Sequence, residues 1–372
     1  MRKLFFGVKN IFARLKQAVG FFFWKTRRTK RKDRPVVLFD IEGLILSRRL
    51  TQVVLQFDHI GYSCLVRARN SMYLKNRGDP YEVLFWELTS RWKGESPVLV
   101  VCGKENPRYP GKKRIVFDDD IQSFPLRVEE PFYFPLHLHI KRMVERQTEW
   151  IPQMPKEMRI GAVFIGSTAP ASYLPFEKYI HETFHLPTRL EVLDHIRNHF
   201  PDDIFEPERA EDLWRELNDP SLPLKNKIVL VDKIHIGGKD YLQILRNSIF
   251  HIWTCGDAFP YCHNQPEGML CGAIPIFWEY PLYAGLENQK NCLCFRSFDE
   301  LNEILAKIVS SQFPEKDLLA MSAQVEALYQ KTFSDDTFQK NVQAFLESEK
   351  AEETYYVHPD VYPRNVQRRE TP

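Results

Sequence analysis

The sequence predicts an α/β protein of two domains, each built on an open parallel sheet, with an amphipathic helix ahead of them. Three observations lead there. Compact apolar runs, several closed by an acid or a glycine, alternate with segments of helical spacing, as in parallel sheets covered on both faces. A Pro-rich interval carrying Pro125, Pro131, Pro135, Pro152 and Pro155 interrupts that alternation and reads as a hinge. The length, 372 residues, is two to three times that of a typical domain. With 44% hydrophobic and 27% charged residues the chain can bury a substantial core, which excludes the disordered and collagen-like classes. The seven cysteines include no CxxC pair, which speaks against a disulfide framework and for a reducing compartment.

Charge divides the chain unevenly. Residues 1–34 hold 12 Lys or Arg against Asp33 alone, which leaves 39 basic and 48 acidic residues, a balance of −9, for the remainder. Within this arm Leu4, Val8, Ile11, Phe12, Leu15, Ala18, Val19, Phe22 and Phe23 recur at helical spacing on one face. Its longest uncharged stretch, 17–24, falls far short of the roughly 20 residues that cross a bilayer. Arg27, Arg28, Lys30, Arg31 and Lys32 follow as a polybasic run. Apolar face and basic run together predict that residues 1–32 lie on an anionic membrane surface, peripheral and cytoplasmic. Nucleic acid is not the expected partner, because the body is acidic and lacks zinc-finger or RNA-recognition spacing. A secretory signal fits poorly, since Lys9, Arg14 and Lys16 interrupt the apolar core. A helix that packs on the protein's own body remains the alternative.

The first domain and hinge are placed at 35–150. Strands are predicted at 36–40, 64–67, 97–102 and 115–118, with helices at 51–61 and 83–92 and a short helical stretch at 139–149. The second domain is placed at 151–348, before a polar tail at 349–372. Its first strand, 159–165, closes on Gly166 and Ser167, and a helix carrying Leu190, Val192, Leu193 and Ile196 follows. Further strands are expected at 228–232, 249–253 and 273–277, with helices at 241–246, 267–271, 298–310 and 317–332. Two such domains about a hinge make a cleft, and open parallel sheets bind ligands beyond the carboxyl ends of their strands. Asp40 and Glu42, at the end of the first strand, are therefore candidates for a general base.

The most informative stretch runs from Leu245 through Asp257 to Gln265-Pro266-Glu267-Gly268 and then Gly272-Ala273-Ile274-Pro275. It describes a strand, a polar and aromatic loop, a helix opening at Glu267, and a turn into another strand. A helix amino terminus offers N–H groups to a phosphate, and an acid at its edge can accept hydrogen bonds from a ribose. On these residues the chain resembles glycosyltransferases of the GT-B fold, and over about 156–345 it is most similar to exostosin-like members. The resemblance implies two Rossmann-like domains facing a cleft and a nucleotide-sugar donor bound by the second. Glu267 and Gly272-Ala273-Ile274-Pro275 stand at the positions of the family's donor-binding Glu and its turn. The family's other Glu, eight residues earlier, is Phe259 here, and Asp257 lies near but off register. Arg189 matches the family's basic residue after the first strand of this domain, with Lys233 as a second ligand for the donor diphosphate. The expected donor site holds Gly166, Ser167, Arg189, Lys233, Asp257, Glu267 and Gly268. No aspartate pair suggests a bound metal, and the membrane-surface arm makes a membrane-presented glycan or lipid-linked saccharide the expected acceptor.

Two other functions compete. A membrane-associated binding protein could keep the fold without catalysis, which the absent second Glu would explain. His181-Glu182-Thr183-Phe184-His185 satisfies H-E-x-x-H, which on a helix would hold zinc between two His with Glu as base. Pro187 should end that helix, Thr188 and Glu191 fail the metzincin continuation, and no third ligand stands out among His195, Glu206 and Glu211. Cys255, Cys262, His263 and Cys271 match no zinc-ligand spacing and read as buried or loop residues.

Overall fold

The computed structural model describes residues 33–41, 48–69, 80–103, 109, 111–117, 151–256, 260, 262–280 and 285–349. The amphipathic arm, the helix at 139–149 and most of the Pro-rich hinge lie outside the described residues, as do Glu42 and Asp257.

The described chain divides into two compact units. In the first, strand β1 (Val36–Asp40) is followed by helix α1 (Arg48–His59), β2 (Ser63–Arg67), α2 (Pro80–Leu88), β3 (Ser90–Arg91), β4 (Leu99–Gly103) and β5 (Lys113–Phe117). The strands form a parallel sheet in the order β3-β2-β1-β4-β5. One face, with Val37, Phe39, Val66 and Val101, packs on Phe57 of α1 and Phe85 of α2. Leu38, Leu65, Val100 and Cys102 form the opposite face.

The second unit begins with β6 (Ile160–Ile165), followed by α3 (Pro170–Tyr173), α4 (Glu177–Phe184), α5 (Arg189–His199), β7 (Ile204–Phe205) and α6 (Ala210–Asn218). The chain continues through β8 (Ile228–Val231), α7 (Gly238–Asn247), β9 (Ser248–Ile252), α8 (Asn264–Leu270), β10 (Ile274–Trp278), β11 (Leu293–Phe295), α9 (Phe298–Val309) and α10 (Glu315–Phe333). Its sheet is again parallel, in the order β11-β10-β9-β6-β8-β7. β6, the first strand in sequence, is flanked by β8 on one side and β9 on the other. The sheet order therefore reverses at β6, the position where such sheets open a crevice for ligands. Every residue of β6 is buried, as a strand covered by helices on both faces requires.

Thr188 starts α5 with a capping box: its side chain accepts from the Glu191 N–H, and the Glu191 carboxylate accepts from the Thr188 N–H. Gly272 ends α8 at φ +65°, and a Cβ there would lie 2.3 Å from Glu326 Oε1 and 2.7 Å from Ser322 Oγ. Glycine is thus needed both for the left-handed turn and for the approach of α10.

The two parallel α/β sheets are those the sequence predicts. One boundary is corrected. The helix α11 (Asp335–Glu347), placed by the sequence in the second domain, belongs to the first unit. Its Phe338, Val342 and Phe345 sit in the core around Phe39 and Phe57, and the Phe338 ring meets Phe57 edge-on at 5.1 Å. Early in the second unit α3, α4, β7 and α6 form beyond the expected elements; α3, α4 and β7 are too short to show a period. Phe338→Ala should cost about 3–5 kcal/mol through lost burial and the cavity left behind. Denaturant unfolding of wild type and variant would check this, and an unchanged midpoint would show that α11 contributes nothing to that core.

Candidate functional site

The carboxyl ends of β6 and β9 converge on Arg189, the first residue of α5, which is 3% exposed. Its Nε donates to Thr254 Oγ1 just past β9 at 2.9 Å, and Nη1 donates to the Ser167 carbonyl past β6 at 2.9 Å. Nη1 also donates to the Tyr173 hydroxyl, and Nη2 points at Cys262 Sγ at 3.6 Å. The guanidinium lies over the rings of Tyr173 and Phe164, at 4.7 and 5.4 Å. Gly166 closes β6 against this group: a Cβ there would be 3.5 Å from Arg189 Nη1 and 3.8 Å from Asn264 Nδ2. Gly166, Ser167, Arg189 and the opening of α8 are therefore brought together.

Helix α8 is buried over its whole length, and Glu267 in its first turn is fully covered. The acid expected at the helix edge is thus an interior one. Gly268 has a packing task, because a Cβ there would stand 2.3 Å from Nδ1 of His251 on β9. His251 is itself fully buried and accepts a hydrogen bond at Nδ1 from Trp253 Nε1 at 2.9 Å. Burial, and after it the charge of Arg189, push this imidazole down to about 3, so it is neutral at ordinary pH. After α8 the turn at Gly272 is held by Ser322 Oγ, which donates to the Gly272 carbonyl at 2.7 Å. Arg246 and Lys156 both donate to the neighbouring Cys271 carbonyl at 3.3 Å, and Arg246 pairs with Glu326. Burial first, then Arg246, lower Lys156 to about 7.

Lys233 lies apart from this cluster. It is exposed and pairs with Glu206. Arg197 bridges Glu206 and Asp232, each at 2.6 Å, and Thr168 donates to Asp232 at 2.9 Å. Asp40, in the first unit, is fully buried; its Oδ2 accepts from Tyr109 at 2.9 Å and lies 3.7 Å from Arg67 Nη1. This is the environment of an anchoring acid, held across the β1–β2 register pair Asp40↔Arg67.

The H-E-x-x-H segment does not form a two-histidine site. His181 is in the last turn of α4, but His185 is the residue that leaves it, at φ 54°. Among the described residues the ligand atoms that converge there belong to Glu177, His181 and Glu191, and His181 Nε2 lies 2.8 Å from Glu191 Oε2. The sequence reading missed Tyr173, Thr254, Cys262 and Asn264 around Arg189. Only the Thr254–Cys255 and Cys262–His263 pairs at strand and helix ends could have signalled them.

No family model and no curated protein matches the chain. Solved structures do. HepE from Anabaena, in complex with UDP, aligns with a TM-score of 0.43 at 10% identity over 84% of this chain and 99% of that one. A glycosyltransferase from Rickettsia africae gives 0.42 at 10% identity, over 86% and 100%. An α1,3-fucosyltransferase with GDP gives 0.43 at 12% identity, over 89% and 96%. At such identities and TM-scores these likenesses give no weight to a shared activity.

The buried His251 makes stability depend on acid. Its folded value lies below that of a free imidazole near 6.5, so the unfolded chain takes up the proton first. The stabilisation is complete above about pH 6.5 and is lost as pH falls toward 3, by at most about 1.4 kcal/mol per pH unit. Nitrogen-15 NMR of the ring should show it neutral at pH 5, and a titration midpoint near 6.5 would contradict this environment.

Proposed function

We propose that this protein is a glycosyltransferase that binds a nucleotide-sugar donor on its second unit. The sugar passes to a glycan or lipid-linked saccharide presented at the cytoplasmic face of a membrane, without a metal cofactor. The observation that carries the reading is the donor-binding pattern of Glu267 on α8 and Gly272-Ala273-Ile274-Pro275 leading into β10, with the opening of α8 near a buried Arg189 where the sheet order reverses. Open parallel sheets take their ligands at that position.

The division of labour follows from the side chains. A leaving nucleoside diphosphate needs positive charge that is fixed before the reaction, because preorganised donors cost no reorganisation as charge develops. Arg189 is such a charge: four of its five N–H groups are directed at protein acceptors among the described residues, which leaves one for a phosphate oxygen. Lys233 would reach the donor only by giving up Glu206. Of the two acids considered as base, Asp40 is committed to Tyr109 and Arg67, so Glu42 is the candidate for the acceptor hydroxyl proton.

Membrane association rests on residues 1–32, whose apolar stripe and basic run supply two anchoring signals. A soluble acceptor would give no reason to hold the enzyme at anionic lipid.

Glu267→Gln keeps the side-chain volume while removing the charge, and should weaken nucleotide-sugar affinity by about 1–3 kcal/mol. Calorimetric titration against a panel of nucleotide sugars measures it; unchanged affinity in a folded variant removes Glu267 from the site. Deleting residues 1–32 should end co-sedimentation with anionic liposomes while donor binding persists. Loss of donor binding together with aggregation would instead make the arm a packing helix.

A further inference from the structure

Among the described residues, no carboxylate accepts a hydrogen bond from the buried cation at Arg189. Its acceptors there are Thr254 Oγ1, the Ser167 carbonyl, the Tyr173 hydroxyl and Cys262 Sγ. An uncompensated charge in an interior is costly, so a buried guanidinium needs a negative partner. A threonine hydroxyl and a carbonyl cannot supply one, and an ordinary phenol ionises only near pH 10. A thiol is the most acidic group of the four.

Cys262 has the surroundings of an anion. Its sulfur receives the Arg189 Nη2–H at 3.6 Å and the backbone N–H of Asn264, and lies 4.0 Å from His263 Nδ1. Asn264 is 4% exposed, its Nδ2 approaches the same guanidinium over Gly166, and its Oδ1 has no hydrogen-bond partner among the described residues. That buried acceptor belongs to the residue whose backbone N–H meets the sulfur. Cys262 is partly exposed, which leaves it open to a small molecule. The neighbouring Cys255 offers no competing anion: its Sγ–H is directed at the Pro187 carbonyl, and burial pushes its thiol up to about 12.

We infer that Cys262 stands as a thiolate, the counter-ion of Arg189, and that it is a site of covalent modification by small peroxides. The thiolate sulfur attacks one peroxide oxygen, the O–O bond breaks, and hydroxide leaves and takes a proton to become water when the oxidant is hydrogen peroxide. The sulfur is oxidised by two electrons to a sulfenic acid as the peroxide is reduced. Burial raises the thiol, but His263, Arg189 and the Asn264 N–H outweigh it and bring Cys262 down to about 6. Among the described residues, the charged or titratable groups facing it are Arg189, His263, Cys255 and, through the guanidinium, Tyr173.

The test uses the full chain. Iodoacetamide labelling from pH 6 to 9, with peptide mapping of all seven cysteines and free N-acetylcysteine as internal reference, gives each thiol's rate against pH. At pH 6, Cys262 should react roughly ten to a hundred times faster than the reference and level off by about pH 7, since it is already largely ionised. A Cys262 rate that climbs in parallel with the reference up to pH 8, or no labelling at any pH, overturns the inference. Brief hydrogen peroxide treatment followed by dimedone should place the adduct on Cys262, and Cys262→Ser should lose it. An adduct distributed over the other cysteines counts against the site. His263→Gln, which leaves Arg189 in place, should move the wild-type profile to higher pH while keeping it below the reference; an unmoved profile with no early plateau would again sink it.

Discussion

The arrangement of the second unit turns on one interior positive charge. Arg189 draws the loop after β6, the segment after β9, Tyr173 of α3 and the approach to α8 to a single group. The segments of Ser167, Thr254 and Cys262 are irregular backbone past a parallel strand or ahead of a helix, where the sheet ladder offers no partners, and Tyr173 closes α3. A planar guanidinium with donors in a fixed fork can satisfy several such acceptors at once, and an ammonium could not reproduce that geometry. The loops that would meet a ligand are thereby fixed relative to the strands that carry them.

A second polar system sits beyond β8 and has a different character. Arg197, Asp232, Glu206 and Lys233 form a chain of alternating charge near the surface, with Thr168 joining it to the loop after β6. Asp232 at its inner end is 3% exposed, whereas Lys233 at its outer end is screened by solvent and can exchange partners at small cost. Arg189 and Lys233, grouped together by their positions after strands, thus differ in kind: one is a fixture and the other is adaptable.

The strands were legible because a parallel sheet buries both faces and leaves runs such as Val36-Val37-Leu38-Phe39 and Ile228-Val229-Leu230-Val231 without polar interruption. Residues 335–347 were placed in the second domain by continuity along the chain, because no local pattern encodes which core Phe338, Val342 and Phe345 join. The partners of Arg189 were illegible for a related reason: Thr254 and Cys262 lie 65 and 73 residues away, and no local pattern encodes such a meeting. His181 and His185 show the converse failure, where a matching spacing loses its meaning once the chain turns left-handed at the second residue. The sequence opens this helix at Glu267, whereas α8 begins at Asn264, and the complete burial of Glu267 follows from packing against β9 and α10, which spacing does not reveal.

The return of α11 to the first unit has a consequence for biogenesis. During synthesis the sheet of β1 to β5 emerges long before Phe338, Val342 and Phe345 exist to cover Phe57. At roughly 5–20 residues per second, translation of the intervening segment takes on the order of ten to fifty seconds. For that time the nascent chain carries an uncovered aromatic patch, the kind of surface that holdase chaperones shield. The second unit, whose strands are consecutive in sequence, meets no such delay and can close first. The unit made first at the ribosome is therefore the one completed last.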